Sequence, residues 1–194
     1  MRTASIHRKT GETDIRIQLT LEGKGHSVVS TKIPFFDHML ALFSRHSLVD
    51  LEVAADGDIE VDLHHTVEDT GIALGQAFAK ALGDKKGIRR YGFAYLPMDE
   101  TLARVVVDFS GRPFLVYQAP DGAAPIGNFA FQLVEEFLRG FCVHAGCNLH
   151  ATVLYGRDSH HMAEAVFKGL AKAVDAACQL DPRVEGVPST KGIL

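Results

Sequence analysis

One motif occurs twice in this chain of 194 residues. It consists of two adjacent histidines and a glutamate three residues after the second histidine. The copies are residues 64–68 (HHTVE) and residues 160–164 (HHMAE), which start 96 positions apart. Each copy opens a stretch typical of an amphipathic helix. Because adjacent side chains on a helix point about 100° apart, one histidine pair cannot easily bind a single ion with both rings. The doubled motif therefore predicts two metal sites, each drawing ligands from both clusters or from neighbouring subunits.

The similarity between the two halves extends beyond the motif. At an offset of 98 residues, the stretch that begins at Asp37 aligns with the one that begins at Glu135, which places His38 opposite Glu136. The strand-like pattern of residues 15–21 has a loose counterpart in residues 102–109. Two halves built on one plan predict pseudo-twofold symmetry and two related sites.

The apolar periodicity of each half predicts strands, a helix, a strand and a helix. We expect strands over residues 14–22, 48–53, 91–97, 101–109, 113–118 and 148–155, and helices over residues 34–45, 68–82, 128–143 and 160–177. The expected fold class is α+β, an internal duplication with two pseudo-symmetric halves whose sheets pack against helices. No flexible linker separates the halves, so we expect a single catalytic domain over residues 1–194, made of two repeats at about 1–90 and 91–194.

Composition excludes several classes of protein. A hydrophobic fraction of 46% and a net charge of −4 are ordinary for a soluble globular chain and argue against nucleic-acid binding. No apolar run approaches the roughly 20 residues that span a bilayer, and residues 1–10 lack the apolar core of a signal peptide. The three cysteines are an odd number and are not spaced as metal ligands, so we expect no disulfide scaffold. A chain without disulfides suits a reducing compartment, so we expect a cytoplasmic location.

The repeated histidines favour metal binding over a structural role. A lone histidine at a helix start is usually a cap or a surface residue, but four imidazoles at matching positions are not explained that way. Imidazole and carboxylate suit Mn, Zn, Fe or Co, and the absence of cysteine near the motifs favours a harder ion such as Mn²⁺. The alignment of His38 with Glu136 makes both residues candidate ligands, although a buried structural role stays open for His38 and a solvated position on a helix for Glu136.

Basic residues near the motifs are candidates for binding an anion. Lys168 follows Glu164 by four positions, so it either forms a helical ion pair or presents a cation to an anionic substrate beside the metal. Further candidates are Arg89 and Arg90, Arg112 and the stretch 188–192 (PSTKG).

Several ordered motifs together resemble the imidazoleglycerol-phosphate dehydratase family of histidine biosynthesis. The resemblance runs from about Arg8 to Leu194 and includes residues 36–40 (FDHML), 62–69 (DLHHTVED), 97–100 (PMDE), 160–168 (HHMAEAVFK) and 188–192 (PSTKG). It implies a fold like the second domain of ribosomal protein S5. It also implies two Mn²⁺ ions per active site, with other divalent metals possible, held between subunits of a 24-subunit homo-oligomer.

The resemblance also implies how the ligands are shared. One ion would take His38, His65, Glu68 and His161, and the other His64, His160, Glu164 and the residue at position 136. Family members often carry histidine at that position. Glu136 departs from this pattern but retains an oxygen ligand.

The implied reaction converts imidazole glycerol phosphate to imidazole acetol phosphate and water, through a metal-bound imidazolate and a diazafulvene. Glu164 would shuttle protons, and Glu12 and His65 would be further catalytic residues. The substrate would be bound by Glu12, His46, Arg90, Asp99, Arg112, Lys168, Ser189, Thr190 and Lys191.

Three other functions compete with this interpretation. A hydrolase using metal-bound water would need the same ligand types. A ferritin-like metal store would need four long helices, which the alternating pattern of residues 15–21 disfavours. A nucleic-acid-binding module is disfavoured by the acidic balance of the chain and by the lack of a basic aromatic stretch.

Overall fold

Each half of the chain forms one four-stranded sheet and contributes two helices, and the computed structural model describes residues 1–194. The first half contains β1 (Thr3–Lys9), β2 (Thr13–Thr20), β3 (Ser27–Ser30), α1 (Pro34–Ser47), β4 (Asp50–Gly57) and α2 (His64–Leu82). The second half contains β5 (Tyr91–Met98), β6 (Thr101–Asp108), β7 (Phe114–Gln118), α3 (Leu133–Ala145), β8 (Asn148–Tyr155) and α4 (Ser159–Cys178).

The two sheets have the same topology. Their strand orders are β1-β2-β4-β3 and β5-β6-β8-β7. In both sheets the first three strands of the order pair antiparallel, and the last strand pairs parallel to its neighbour. The predicted α+β fold with two similar halves is therefore confirmed.

Some element boundaries differ from those predicted. Helix α2 begins at His64, four residues before its predicted start, and α3 begins at Leu133 rather than at residue 128. Strands β1 and β3 were not predicted. Both are edge strands, and β1 lacks a clean apolar alternation because Arg8 bonds the buried carboxylate of Asp69 at 2.8 Å.

The helices pack across the two halves. Helix α2 lies on the first sheet and α4 on the second, while α1 packs against α4 and α3 against α2. Phe36, Phe137 and Phe167 meet between them, with ring centroids 4.9–6.5 Å apart. One hydrophobic cluster of buried residues thus includes both halves. The repeat boundaries near residue 90 stay a prediction.

The three cysteines, Cys142, Cys147 and Cys178, are buried and free. None of the four helices combines the length and the apolar character that a bilayer crossing requires.

The contact between α2 and α3 depends on glycine. A Cβ atom on Gly71 would lie 2.5 Å from the carbonyl oxygen of Phe137, and one on Gly140 would lie 2.8 Å from that of Glu68. Real side chains do not approach backbone this closely, so the two helices lie nearer to each other than alanine would permit. This close contact joins the two halves in addition to the α1–α4 pair.

Substituting Gly71→Ala should separate α2 from α3 and destabilise the fold. We expect a loss of about 1–3 kcal/mol in the free energy of unfolding, since overpacking outweighs the helix propensity that alanine adds. Urea denaturation measures the loss. Gly11→Ala is the matched control, because nothing lies within 4 Å of its added Cβ. Equal stability of Gly71→Ala and the unsubstituted chain would contradict the close contact.

Candidate metal centre and anion pocket

An aspartate positions the histidine pair at the start of each motif helix. The Asp62 carboxylate accepts a hydrogen bond from the backbone N–H of His64 at 2.7 Å. The Asp158 carboxylate accepts from the backbone N–H groups of His160 at 2.8 Å and His161 at 3.2 Å. These bonds satisfy donors that have no partner within the helix, so both pairs are held in a first turn.

Three predicted ligands meet where α1 packs against α4. The Glu164 Oε2 atom lies 3.1 Å from Nε2 of His160 and 3.5 Å from Nε2 of His38. All three ligand atoms fall within 4.8 Å of one another. Glu164 is buried, whereas the His38 and His160 side chains are 49% and 43% exposed. Two imidazoles and one carboxylate are suitable ligands for an ion such as Mn²⁺.

The ligand sets that the family resemblance implied for each ion, shared between subunits, stay a prediction. Within one chain, the structure places His38 beside His160 and Glu164. The reason is the packing of helices across the halves, since α1 of the first half lies against α4 of the second.

Glu164 is held as a carboxylate. Burial acts to raise its pKa, but the Lys168 ammonium, which contacts Oε1, together with His160 and His38 holds the pKa below its ordinary value. The edge of the Phe35 ring packs against the ring of His160, at 5.2 Å between centroids. Lys168 therefore forms the helical ion pair with Glu164, a predicted metal ligand.

The equivalent positions of the other helix pair are less closely grouped. Nε2 of His64 lies 3.6 Å from Oε2 of Glu68, one turn later on α2. Glu136 on α3 instead has Nε of Arg139 at 3.9 Å from its carboxylate and belongs to no three-residue group. Its part in metal binding stays a prediction.

The second histidine of each pair is anchored by a carboxylate that the sequence analysis did not select. Nδ1 of His65 lies 2.9 Å from Asp58, and Nδ1 of His161 lies 2.8 Å from Glu100. These hydrogen bonds are the largest cause of the raised pKa of each imidazole. Within the two pairs the ring planes lie 83° and 81° apart, with ring centroids 6.1 and 6.2 Å apart.

Other predicted residues surround these histidines. Glu12 lies 3.7 Å from Nδ1 of His65 with its side chain 57% exposed, and Asp99 lies 3.9 Å from Nε2 of His161. Burial lowers the pKa of His46, as do Lys168 and Lys172, which places His46 on the Lys168 side of α4. Glu12 and Asp99 thus lie beside the second histidine of each pair, whereas His46 lies near the middle of α4.

A second group of predicted residues forms a basic pocket. An open cavity of about 580 Å³ is lined by Arg90, Tyr91, Arg112, Pro188, Ser189, Thr190 and Lys191. The Arg90 guanidinium donates to Asp108 at 2.6 and 3.1 Å and to the Pro188 carbonyl at 2.9 Å, so it fixes the segment that carries Ser189. Arg112 and Lys191 are exposed and have no ion-pair partner, so they remain available to an anion.

The other large cavity, of about 620 Å³, lies over the outer face of the first sheet, beside Ser5, Gln18 and Glu52. None of the predicted site residues lines it. The predicted site residues therefore lie away from this cavity.

Comparison with known proteins gives one consistent family. A sequence model of the imidazoleglycerol-phosphate dehydratase family matches residues 31–174. The imidazoleglycerol-phosphate dehydratases of Thermoanaerobacter pseudethanolicus and Akkermansia muciniphila are 57% and 58% identical, each over all of both chains. The crystal structure of the Staphylococcus aureus imidazoleglycerol-phosphate dehydratase has a TM-score of 0.83 at 38% identity, covering 92% of this chain and 99% of that one. The chain therefore belongs to the imidazoleglycerol-phosphate dehydratase family.

Proposed function

We propose that this dehydratase removes water from imidazole glycerol phosphate to give imidazole acetol phosphate in L-histidine biosynthesis, with Mn²⁺ as cofactor. The single observation that supports the metal most directly is the group His38, His160 and Glu164, whose ligand atoms lie within 4.8 Å. The family assignment supports the reaction.

The donor set suits a divalent ion of intermediate hardness, and other divalent metals are compatible with it. Bound there, the ion would polarise the imidazole ring of the substrate and lower the pKa of its N–H group. A second ion would draw on His64, Glu68 and Glu136, which occupy the equivalent positions of the other half. His65 and His161 would complete the two sites.

The reaction removes a hydroxyl from the carbon attached to the ring and a proton from the neighbouring carbon. The resulting enol then tautomerises to the ketone product. A carboxylate near the substrate is the natural proton acceptor. Glu12 suits this role because its side chain is exposed and lies 3.7 Å from His65. Glu164 stays a candidate, but its lowered pKa and its contact with Lys168 favour a role as ligand.

The basic pocket would bind the phosphate of the substrate. Arg112 and Lys191 would supply the free cations, while Arg90 holds the segment that presents Ser189 and Thr190. Phosphate is well matched to such a set of charged and hydroxyl donors. Asp99 would orient the substrate close to His161, and Lys168 and His46 would contribute on the α4 side.

The proposed assembly is a homo-oligomer, a shell of 24 subunits with active sites shared between them. The partial exposure of His38 and His160 supports this arrangement, since a divalent ion held by three ligands from one chain could take others from a neighbour. The cytoplasm is the proposed compartment, in keeping with three cysteines that are free and buried.

The decisive experiment adds Mn²⁺ and imidazole glycerol phosphate to the metal-free protein and measures the keto product. We expect product only when metal is present, and none from His160→Ala, which removes one of the three grouped ligands. His150→Ala is the matched control, because His150 is exposed on β8. No product from the metal-loaded, unsubstituted protein would contradict the proposed reaction and favour a metal-dependent hydrolase.

Removing a free cation from the basic pocket should weaken substrate binding more than catalysis. We expect Arg112→Met and Lys191→Met each to raise KM about 10- to 100-fold, because each loses a charge-assisted contact to phosphate. Steady-state kinetics measures KM and kcat separately. Arg16→Met, on the outer face of the first sheet, should leave both unchanged. A fall in kcat at constant KM would place these residues outside the phosphate site.

Metal removal should change the size of the assembly. If each ion takes ligands from more than one subunit, a chelator should dissociate the oligomer into smaller species, and added Mn²⁺ should restore it. Size-exclusion chromatography with light scattering measures the mass in both states. An unchanged mass after complete metal removal would contradict sites shared between subunits.

A further inference from the structure

The two histidines of each motif are held differently. The first histidine of each pair turns Nε2 toward the glutamate one turn later on its own helix, at 3.6 Å for His64 and 3.1 Å for His160. The second histidine, His65 or His161, uses Nδ1 to contact a carboxylate outside the helix. The same division occurs in both halves, although the two outside carboxylates come from different loops.

In the second half, the outside carboxylate is Glu100, in the turn between β5 and β6. Its Oε2 atom contacts Nδ1 of His161 at 2.8 Å. Its Oε1 atom accepts from the backbone N–H groups of Arg157 and Asp158 at 3.1 and 3.0 Å, and from the Thr101 hydroxyl at 2.9 Å. Three donors on one oxygen fix the orientation of the carboxylate, so the other oxygen faces the imidazole permanently.

In the first half, the carboxylate is Asp58, which directly follows β4. Its Oδ2 atom lies 2.9 Å from Nδ1 of His65, and its backbone N–H donates to the Glu12 carbonyl at 3.1 Å. Glu12 occupies the position equivalent to Glu100, directly before a sheet strand, but lies farther from its histidine, at 3.7 Å. Asp58 has therefore taken the contact that Glu100 makes in the second half.

A carboxylate can only accept a hydrogen bond from a neutral imidazole, so Nδ1 must carry the proton. The lone pair is then on Nε2, the atom that points away from the carboxylate. Such contacts fix both the tautomer and the ring orientation of metal-binding histidines. We propose that Asp58 and Glu100 are positioning residues that hold His65 and His161 with Nε2 free for a metal ion. This inference rests on the metal dependence of the proposed function.

Glu100→Gln tests the proposal because the substitution preserves the shape of the side chain and reverses the direction of its hydrogen bond to His161. The three donors at Oε1 would keep the amide oxygen in place, so the amide NH₂ would face Nδ1 of His161. Nδ1 would then have to accept, which moves the proton to Nε2 and blocks metal ligation. We expect the affinity for Mn²⁺ to fall about 10- to 100-fold. Calorimetric titration of the metal-free protein with MnCl₂ measures this without reference to activity.

Matched controls separate the loss of the contact to the histidine from the loss of a negative charge elsewhere on the surface. Glu60→Gln neutralises an exposed glutamate beside Asp58 that forms no ion pair, and should leave the affinity unchanged. Asp58→Asn should weaken Mn²⁺ binding, whereas Asp56→Asn, which alters a 72% exposed side chain paired with Lys32, should not. The urea midpoint of metal-free Glu100→Gln should match the unsubstituted protein, since the bonds at Oε1 remain.

Two results would overturn the proposal: equal Mn²⁺ affinity of Glu100→Gln and the unsubstituted protein, or an equal loss in Glu60→Gln. A shifted urea midpoint with unchanged affinity would assign Glu100 a purely structural role. These outcomes are distinct from failure of the proposed reaction, which is judged by the absence of keto product from metal-loaded protein.

Discussion

The packing of helices across the two halves is the constraint on which the rest of the structure depends. Each sheet is covered by a helix of its own half, α2 or α4, and the two halves are joined because α1 lies against α4 and α3 against α2. Phenylalanines from three helices meet at this junction, and burial of such large apolar side chains is a major source of stability. The same packing brings His38 of the first half to His160 and Glu164 of the second. The proximity of these three candidate ligands is thus a direct consequence of core formation.

Much of this arrangement could be predicted from the sequence. The repeated motif and its offset indicated two similar halves, and helical geometry indicated that adjacent histidines diverge. The family resemblance was confirmed by the comparisons. These predictions succeeded because they depend on local periodicity and on short spacings, which a sequence displays directly.

The features that were missed depend on tertiary contacts. Which helix packs against which is not encoded in any local pattern, so the proximity of His38 to His160 and Glu164 within one chain was not predicted. Strand β1 was missed because its inward position Arg8 is charged, and only the buried Asp69 explains that choice. Asp58 is seven residues from His65 and Glu100 is 61 from His161, so their contacts appear only in the folded chain. A signal for Glu100 did exist, since the strand alignment places it opposite Glu12.

That pair shows how a symmetric fold supports asymmetric chemistry. Glu12 and Glu100 directly precede equivalent strands, yet their environments differ. Glu100 is fixed by two backbone N–H groups, a hydroxyl and an imidazole, and hydrogen bonds from Asp158, His161 and Arg157 hold its pKa well below the usual range. Asp58 makes the closer contact with His65, at 2.9 Å against 3.7 Å for Glu12. The Glu12 side chain is 57% exposed. A fixed carboxylate suits positioning, whereas an exposed one can exchange protons with a substrate. Duplication supplies two copies of each residue, and the additional carboxylate of Asp58 gives the two copies, Glu12 and Glu100, different surroundings.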